Sequence, residues 1–275
     1  MNRFSTLAGT LALGVLIAAL FHDTLLWLAR QWLSNDYYAH GMLIPAVSAV
    51  LIWRRWGTAR PTPVATLSGG LLTTGGIAVH VWATAVRAYY VSALCIIIVL
   101  AGLVLFFRGA EALRRSAFPL LFLIAAVPLP FVERLSLPLQ LATAHVAGTV
   151  ASTLGLQVTQ SGAQLALAGC SFVVGAPCSG LRSLVTFAGL VALLIYVTEG
   201  PRWAKAALVV LVVPVALAAN VLRVTALLAV AQVAGEDLAI RYYHTLFGLA
   251  FYVLAIAALI ILTRLLRCHE IRPDI

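Results

Sequence analysis

Three side chains far apart in this 275-residue chain, Cys178, Arg223 and His244, are of the types needed for nucleophilic acyl chemistry. The thiolate is the reactive form of cysteine, and an ordinary pKa of about 8.5 leaves most of it protonated at neutral pH. Cys178 lies in the stretch APCSGLRSL, at the start of an apolar run that reads as a helix. The N–H groups and dipole of a helix start favour an anion. Pro177, immediately before, is compatible with a break ahead of that helix. Arg223 supplies a permanent cation that would lower the thiol pKa further, and His244 can exchange protons near neutral pH. Together they form the minimal set for cysteine-based acyl transfer.

Taken singly, each has a plainer reading. Cysteine, serine and glycine are common packing residues between membrane helices, and an arginine at a helix end can simply snorkel. A lone histidine at the interface is more often a polar residue than a catalyst. The neighbours divide in the same way. Asn220 is expected to hold Arg223 or a backbone carbonyl. Ser179 and Ser183 are expected to satisfy helix-start groups, and Arg182 either adds to the positive field or binds a substrate carboxylate. Asp36 and His40 either bind substrate or brace the site, since ionisable groups near lipid are costly and usually paired. His40 and His244 lack a third ligand, so no metal and no other cofactor is expected. Cys170 is expected to be a thiol or reversibly paired at most, because a stable bridge to Cys178 would abolish the nucleophile. Cys95 and Cys268 read as structural.

The elements that must position these residues are those of a chain made for lipid. Hydrophobic residues make up 63% and charged residues 10% of the sequence, with a mean hydropathy of +1.04, whereas soluble domains carry roughly a quarter charged residues. Several apolar runs approach the ~20 residues that cross a bilayer. The expectation is a single all-α polytopic membrane domain over residues 1–275. It has about eight spans, at 6–28, 38–53, 66–86, 90–107, 115–130, 179–198, 204–222 and 245–264. The first run, Leu7 to Leu28, reads as an uncleaved span, because it is too long for a signal peptide and lacks a small-residue cleavage pattern. Residues 131–177 are expected to form a helix lying in or dipping into the outer interface, then a short extended, hairpin-like segment before the sixth span; Pro128, Pro130 and Pro138 fit a chain that turns there.

The net charge of +9 comes from basic residues clustered beside apolar runs, which is a topology signal rather than a nucleic-acid footprint. With the amino terminus inside, twelve of the 18 Lys and Arg residues, Arg60, Arg202 and Lys205 among them, fall on the inner side. Asp36 and His40, Cys178, Asn220 and Arg223, and His244 then all meet the outer face.

In this sequence CSGLRSL at 178–184, NVLRV at 220–224 and HTLFG at 244–248 resemble the three signature segments of the exosortase/archaeosortase family. NDYYAHGMLIPAVSAVLIWRR at 35–55 resembles its amino-terminal segment, and the likeness runs in order from about Trp32 to Arg264. The resemblance implies a membrane-embedded cysteine transpeptidase of the bacterial inner membrane, associated with exopolysaccharide systems, its site on the periplasmic side. It implies secreted substrates with a carboxy-terminal sorting tail of the PEP-CTERM type: a Pro-Glu-Pro-like motif, a hydrophobic span and a basic cluster. It assigns catalysis to Cys178, Arg223 and His244. The partners expected are therefore such substrates and membrane lipids, with no nucleic acid. Two other classes compete. A transporter would show paired repeats and midplane charges, neither of which is visible; a lipid-phosphate enzyme would use the outer arginines but would not need Cys178. The acceptor, amine or water, and the oligomeric state are left open by the residues.

Overall fold

In lipid only a helix satisfies its own backbone groups within one segment, and this chain answers with eleven helices and one small sheet among its described residues. The computed structural model describes residues 3–56, 67–167, 170–175 and 178–273. Arg60 and Pro177, used above for orientation and the helix start, lie outside them. The fold divides into two compact units, Met1–Pro128 and Leu129–Ile275.

The first unit contains α1 (Arg3–Leu20), α2 (His22–Ser34), a 3-10 turn (Ala39–Met42), α3 (Leu43–Trp56), α4 (Leu67–Ala85) and α5 (Tyr89–Phe122). Glycines let α4 and α5 touch backbone to backbone: a Cβ on Gly102 would lie 2.5 Å from Thr73 Oγ1, and one on Gly76 2.9 Å from Val99. Small residues at such contacts are how membrane helices approach closely. Helices α1 and α2 bend by 77° at Phe21. The Leu20 carbonyl at this break accepts a hydrogen bond from His80 Nε2 (3.1 Å). His80 Nδ1 meets Ser92 Oγ at 2.7 Å, and Ser92 Oγ meets Thr24 Oγ1 at 2.5 Å. One buried polar chain from α4 and α5 thus satisfies the bend.

The second unit holds α6 (Pro130–Arg134), α7 (Ser136–Thr153), β1 (Thr159–Ser161), β2 (Gln164–Leu167), β3 (Cys170–Val173), α8 (Leu181–Val197), α9 (Arg202–Ala234), α10 (Glu236–Leu238), a π-helical turn (Ala239–Tyr243) and α11 (His244–Leu265). The strands form an antiparallel meander in the order β1-β2-β3. Two cores divide α9 between them. Its first half packs with α8 and α11 around Phe187, Leu208 and Leu259; its second half packs with α7 and the sheet around Ala147, Leu165 and Leu228.

The helix and hairpin expected between residues 131 and 177 are present as α7 and the β2–β3 pair. The count of eight spans is not confirmed. Among the described residues three helices are long and apolar enough to cross a membrane, or four if the bent pair α1–α2 counts as one, against the eight expected. The physical reasons are specific. Expected spans 90–107 and 115–130 lie in one continuous stretch, Tyr89–Ala126, but it breaks into two helices between them at Gly109 (φ 81°, ψ 178°), where the sequence expected a break. Helices α3 and α8 reach only 14 and 17 residues, and α4 dilutes its apolar run with Gly, Thr and His. Helix α9 also runs past 222, the end expected for the seventh span, to Ala234, because no breaker occurs between there and Gly235, which closes it at φ 86°.

Candidate active site

Cys178 sits in the tight turn that leads into α8, not in the helix itself. Its N–H donates to the Gly175 carbonyl (2.9 Å), and its own carbonyl accepts from Asn220 Nδ2 (2.7 Å). The turn closes because Gly180 adopts φ 78°, ψ −5°, the left-handed conformation that glycine enters without steric cost. A Cβ there would also press to 3.1 Å on the Asn220 side chain. Ser179 is fully buried, and its Oγ accepts from the Leu181 N–H (3.2 Å), a helix-start group. Arg182 follows in the first turn of α8, exposed.

Asn220 and Arg223 stand three residues apart in α9, close to one face of the helix. They lie within this long helix rather than at its end, as the shorter span had implied. Asn220 is buried and also donates to Thr143 Oγ1 of α7 (3.2 Å). Of the two roles expected for it, the structure has the carbonyl one. Arg223 turns its guanidinium to α11: a Cβ on Gly248 would lie 3.4 Å from Arg223 Cζ. Position 244 is one turn before Gly248 on the same face of α11. The His244 side chain, like that of Cys170, lies outside the described residues.

The thiol responds to two opposing influences. Burial pushes the Cys178 pKa above its ordinary value, and the Arg223 guanidinium pulls it partly back. The expected direction, downward, is therefore reversed: loss of water around the sulfur outweighs the cation. Cys178 carries a thiol rather than a disulfide, as do the buried Cys95 and Cys268.

Cys178 opens into a cavity of about 280 Å³ with mostly apolar walls from Phe172, Val174, Val224, Leu227 and Leu228. A half-buried thiol under the influence of a fixed cation, beside an apolar cavity, can attack an acyl carbon delivered there once its proton is removed. Asp36 and His40 belong to the first unit. Asp36 is exposed in the turn after α2, and His40 stacks on buried Tyr38 with ring centroids 6.3 Å apart. Thr143, Gly180 and the cavity walls received no role from the sequence. One signal was available, the small residues Ala144, Ala147, Gly148 and Ala151 at helical spacing on α7, all buried.

A family model described as transmembrane exosortase matches residues 32–261, most of the chain. No curated protein and no solved structure matches.

Proposed function

This chain belongs to the transmembrane exosortase family, and we propose that it processes secreted proteins at a carboxy-terminal sorting tail through a Cys178 thioester. Family membership supports a membrane transpeptidase role in sorting. The observation that carries the finer reading is the pairing of the Cys178 thiol, at the mouth of an apolar cavity, with the charge of Arg223 packed against α11 one turn from position 244.

In the proposed reaction His244 takes the thiol proton, and Cys178 Sγ attacks the scissile carbonyl carbon. Arg223 stabilises the thiolate and the developing oxyanion. As the intermediate collapses the C–N bond breaks, and His244 returns the proton to the leaving amine. The tail departs, leaving the secreted portion as a thioester. An incoming amine then attacks, yielding a new amide and restoring the thiol; water in its place yields a simple cleavage. Asn220, bonded to the Cys178 carbonyl, positions the nucleophile. Arg182, in the first turn of α8, is assigned to a substrate carboxylate. The site faces the periplasm from the inner membrane, and the tail carries a Pro-Glu-Pro segment, an apolar span and a basic cluster.

The test is processing in cells of a reporter bearing that tail, comparing wild type with Cys178→Ala at equal membrane abundance. Loss of the mature form is expected. Unchanged processing by Cys178→Ala would overturn the assignment.

A further inference from the structure

Among the described residues, the sheet beside Cys178 has an open edge. In an antiparallel pair, residues alternate between directing both backbone groups at the partner and directing both away. The Val174 amide donates to the Ala163 carbonyl (2.9 Å), and the register continues through Gln164↔Val173, Leu165↔Phe172, Ala166↔Ser171 and Leu167↔Cys170. Phe172 and Cys170 therefore point their backbone groups at β2, and Ser171 and Val173 point theirs away from it. β3 is the last strand of the sheet. The Gly175 N–H takes the Val173 carbonyl (2.8 Å). The N–H groups of Ser171 and Val173, and the Ser171 carbonyl, have no partner among the described residues.

An open edge is a template for another strand, and proteins usually blunt it with charge or proline. CSFVVG, residues 170–175, contains neither. Residues Ser171 to Gly175 line the same cavity as Cys178, so whatever pairs with this edge lies alongside the nucleophile. A helical segment has already spent its backbone groups internally and cannot use them on an edge. An extended peptide can, and its alternate side chains would fall to one side, where Phe172, Leu227 and Leu228 wall an apolar space.

We propose that the substrate residues flanking the scissile bond dock as a fourth strand on the open edge of β3, placing an apolar side chain in the cavity and the scissile carbonyl at Cys178. This rests on the transpeptidase reading above. The segment recognised is thus an extended, apolar-bearing peptide, selected by its main chain as much as by its side chains.

The test uses the full chain in nanodiscs and a synthetic peptide carrying the reporter's cleavage region, with each backbone amide N-methylated in turn. The expected pattern has period two: kcat/KM falls about two- to tenfold at alternate amides and is unchanged between them. Ser171→Pro removes an N–H that serves no bond to β2, so KM is expected to rise by a similar factor while Cys178 keeps its wild-type alkylation rate. Cys178-dependent cleavage of the parent peptide with no alternation on methylation would overturn strand docking and leave the transpeptidase reading standing. Cleavage that does not need Cys178 would overturn both. Ser171→Cys cross-linking between two copies in a way the peptide cannot displace would assign the edge to a second copy of this chain and overturn the proposal, as would displacement of the peptide by lipid acyl chains alone.

Discussion

Cys178 shows how the same side chain can be chemically legible in sequence and energetically opaque. Its thiol, the guanidinium of Arg223 and the imidazole of His244 are recognisable by type alone, because few other side chains supply a nucleophile, a permanent cation or a neutral-pH proton carrier. The balance between them is not recognisable. Burial raises the Cys178 pKa and Arg223 opposes it only in part, and burial is a property of the packed turn. The resting thiol is therefore protonated at neutral pH. Its alkylation rate is expected to rise only in alkaline solution, following the thiolate fraction. Arg223→Gln removes the opposing charge, so the midpoint should move to still higher pH; a midpoint that falls or stays would refute the electrostatic link. Asn220→Ala leaves the Cys178 carbonyl without its donor in a buried turn, a loss of about 1–3 kcal/mol. It is expected to lower kcat by tenfold or more with folded protein still present, measured on the reporter tail.

At the scale of elements, glycines and helix lengths decide how these residues meet. Gly180 turns the chain into α8 in the left-handed region and abuts Asn220. Gly180→Ala is expected to lose about 1–2 kcal/mol from backbone strain alone, seen as a lower melting temperature in detergent, and to lower processing by displacing Asn220. Gly248 leaves room for the Arg223 guanidinium against α11. Gly248→Leu would occupy that space and should abolish processing with membrane abundance retained, whereas Gly248→Ala meets only ordinary contact and should be nearly silent. The length of α9 also has a consequence. At 1.5 Å per residue about 27 Å separates Arg202 from Asn220, close to the ~30 Å hydrocarbon core. Asn220 and Arg223 therefore lie about one bilayer thickness along α9 from Arg202, and the remaining turns of α9 continue beyond them to build the cavity. In the first unit, Ser92→Val would strand both Thr24 and His80 at the α1–α2 bend. The expected result is a thermal destabilisation of about 2 kcal/mol, with Cys178 alkylation unchanged.

For the whole molecule, an apolar composition in which only 10% of residues are charged leaves little choice but a membrane-embedded helical fold, and the transmembrane exosortase family has one. The α4–α5 contact through Gly69, Gly76 and Gly102 is part of what makes the first unit compact. Gly102→Leu, which collides with the Thr73 backbone, should sharply reduce membrane abundance, measured by quantitative blotting against wild type. The sequence alone determined the class, the family and the residue types able to do chemistry, because hydropathy and side-chain identity are local properties. It also located a helix followed by a hairpin before Cys178, since proline breaks and alternation are local too. It did not determine the span count, because α3 and α8 reach only 14 and 17 residues, and where a helix stops depends on the turns that close it as much as on its hydropathy. Nor did it reveal that Asn220 holds the Cys178 carbonyl, that Thr143 holds Asn220, or that β3 opens beside the thiol. Those relations join residues tens of positions apart, and only the packing of α7, α8, α9 and the sheet brings them within reach of one another and removes the water that would otherwise favour the Cys178 thiolate.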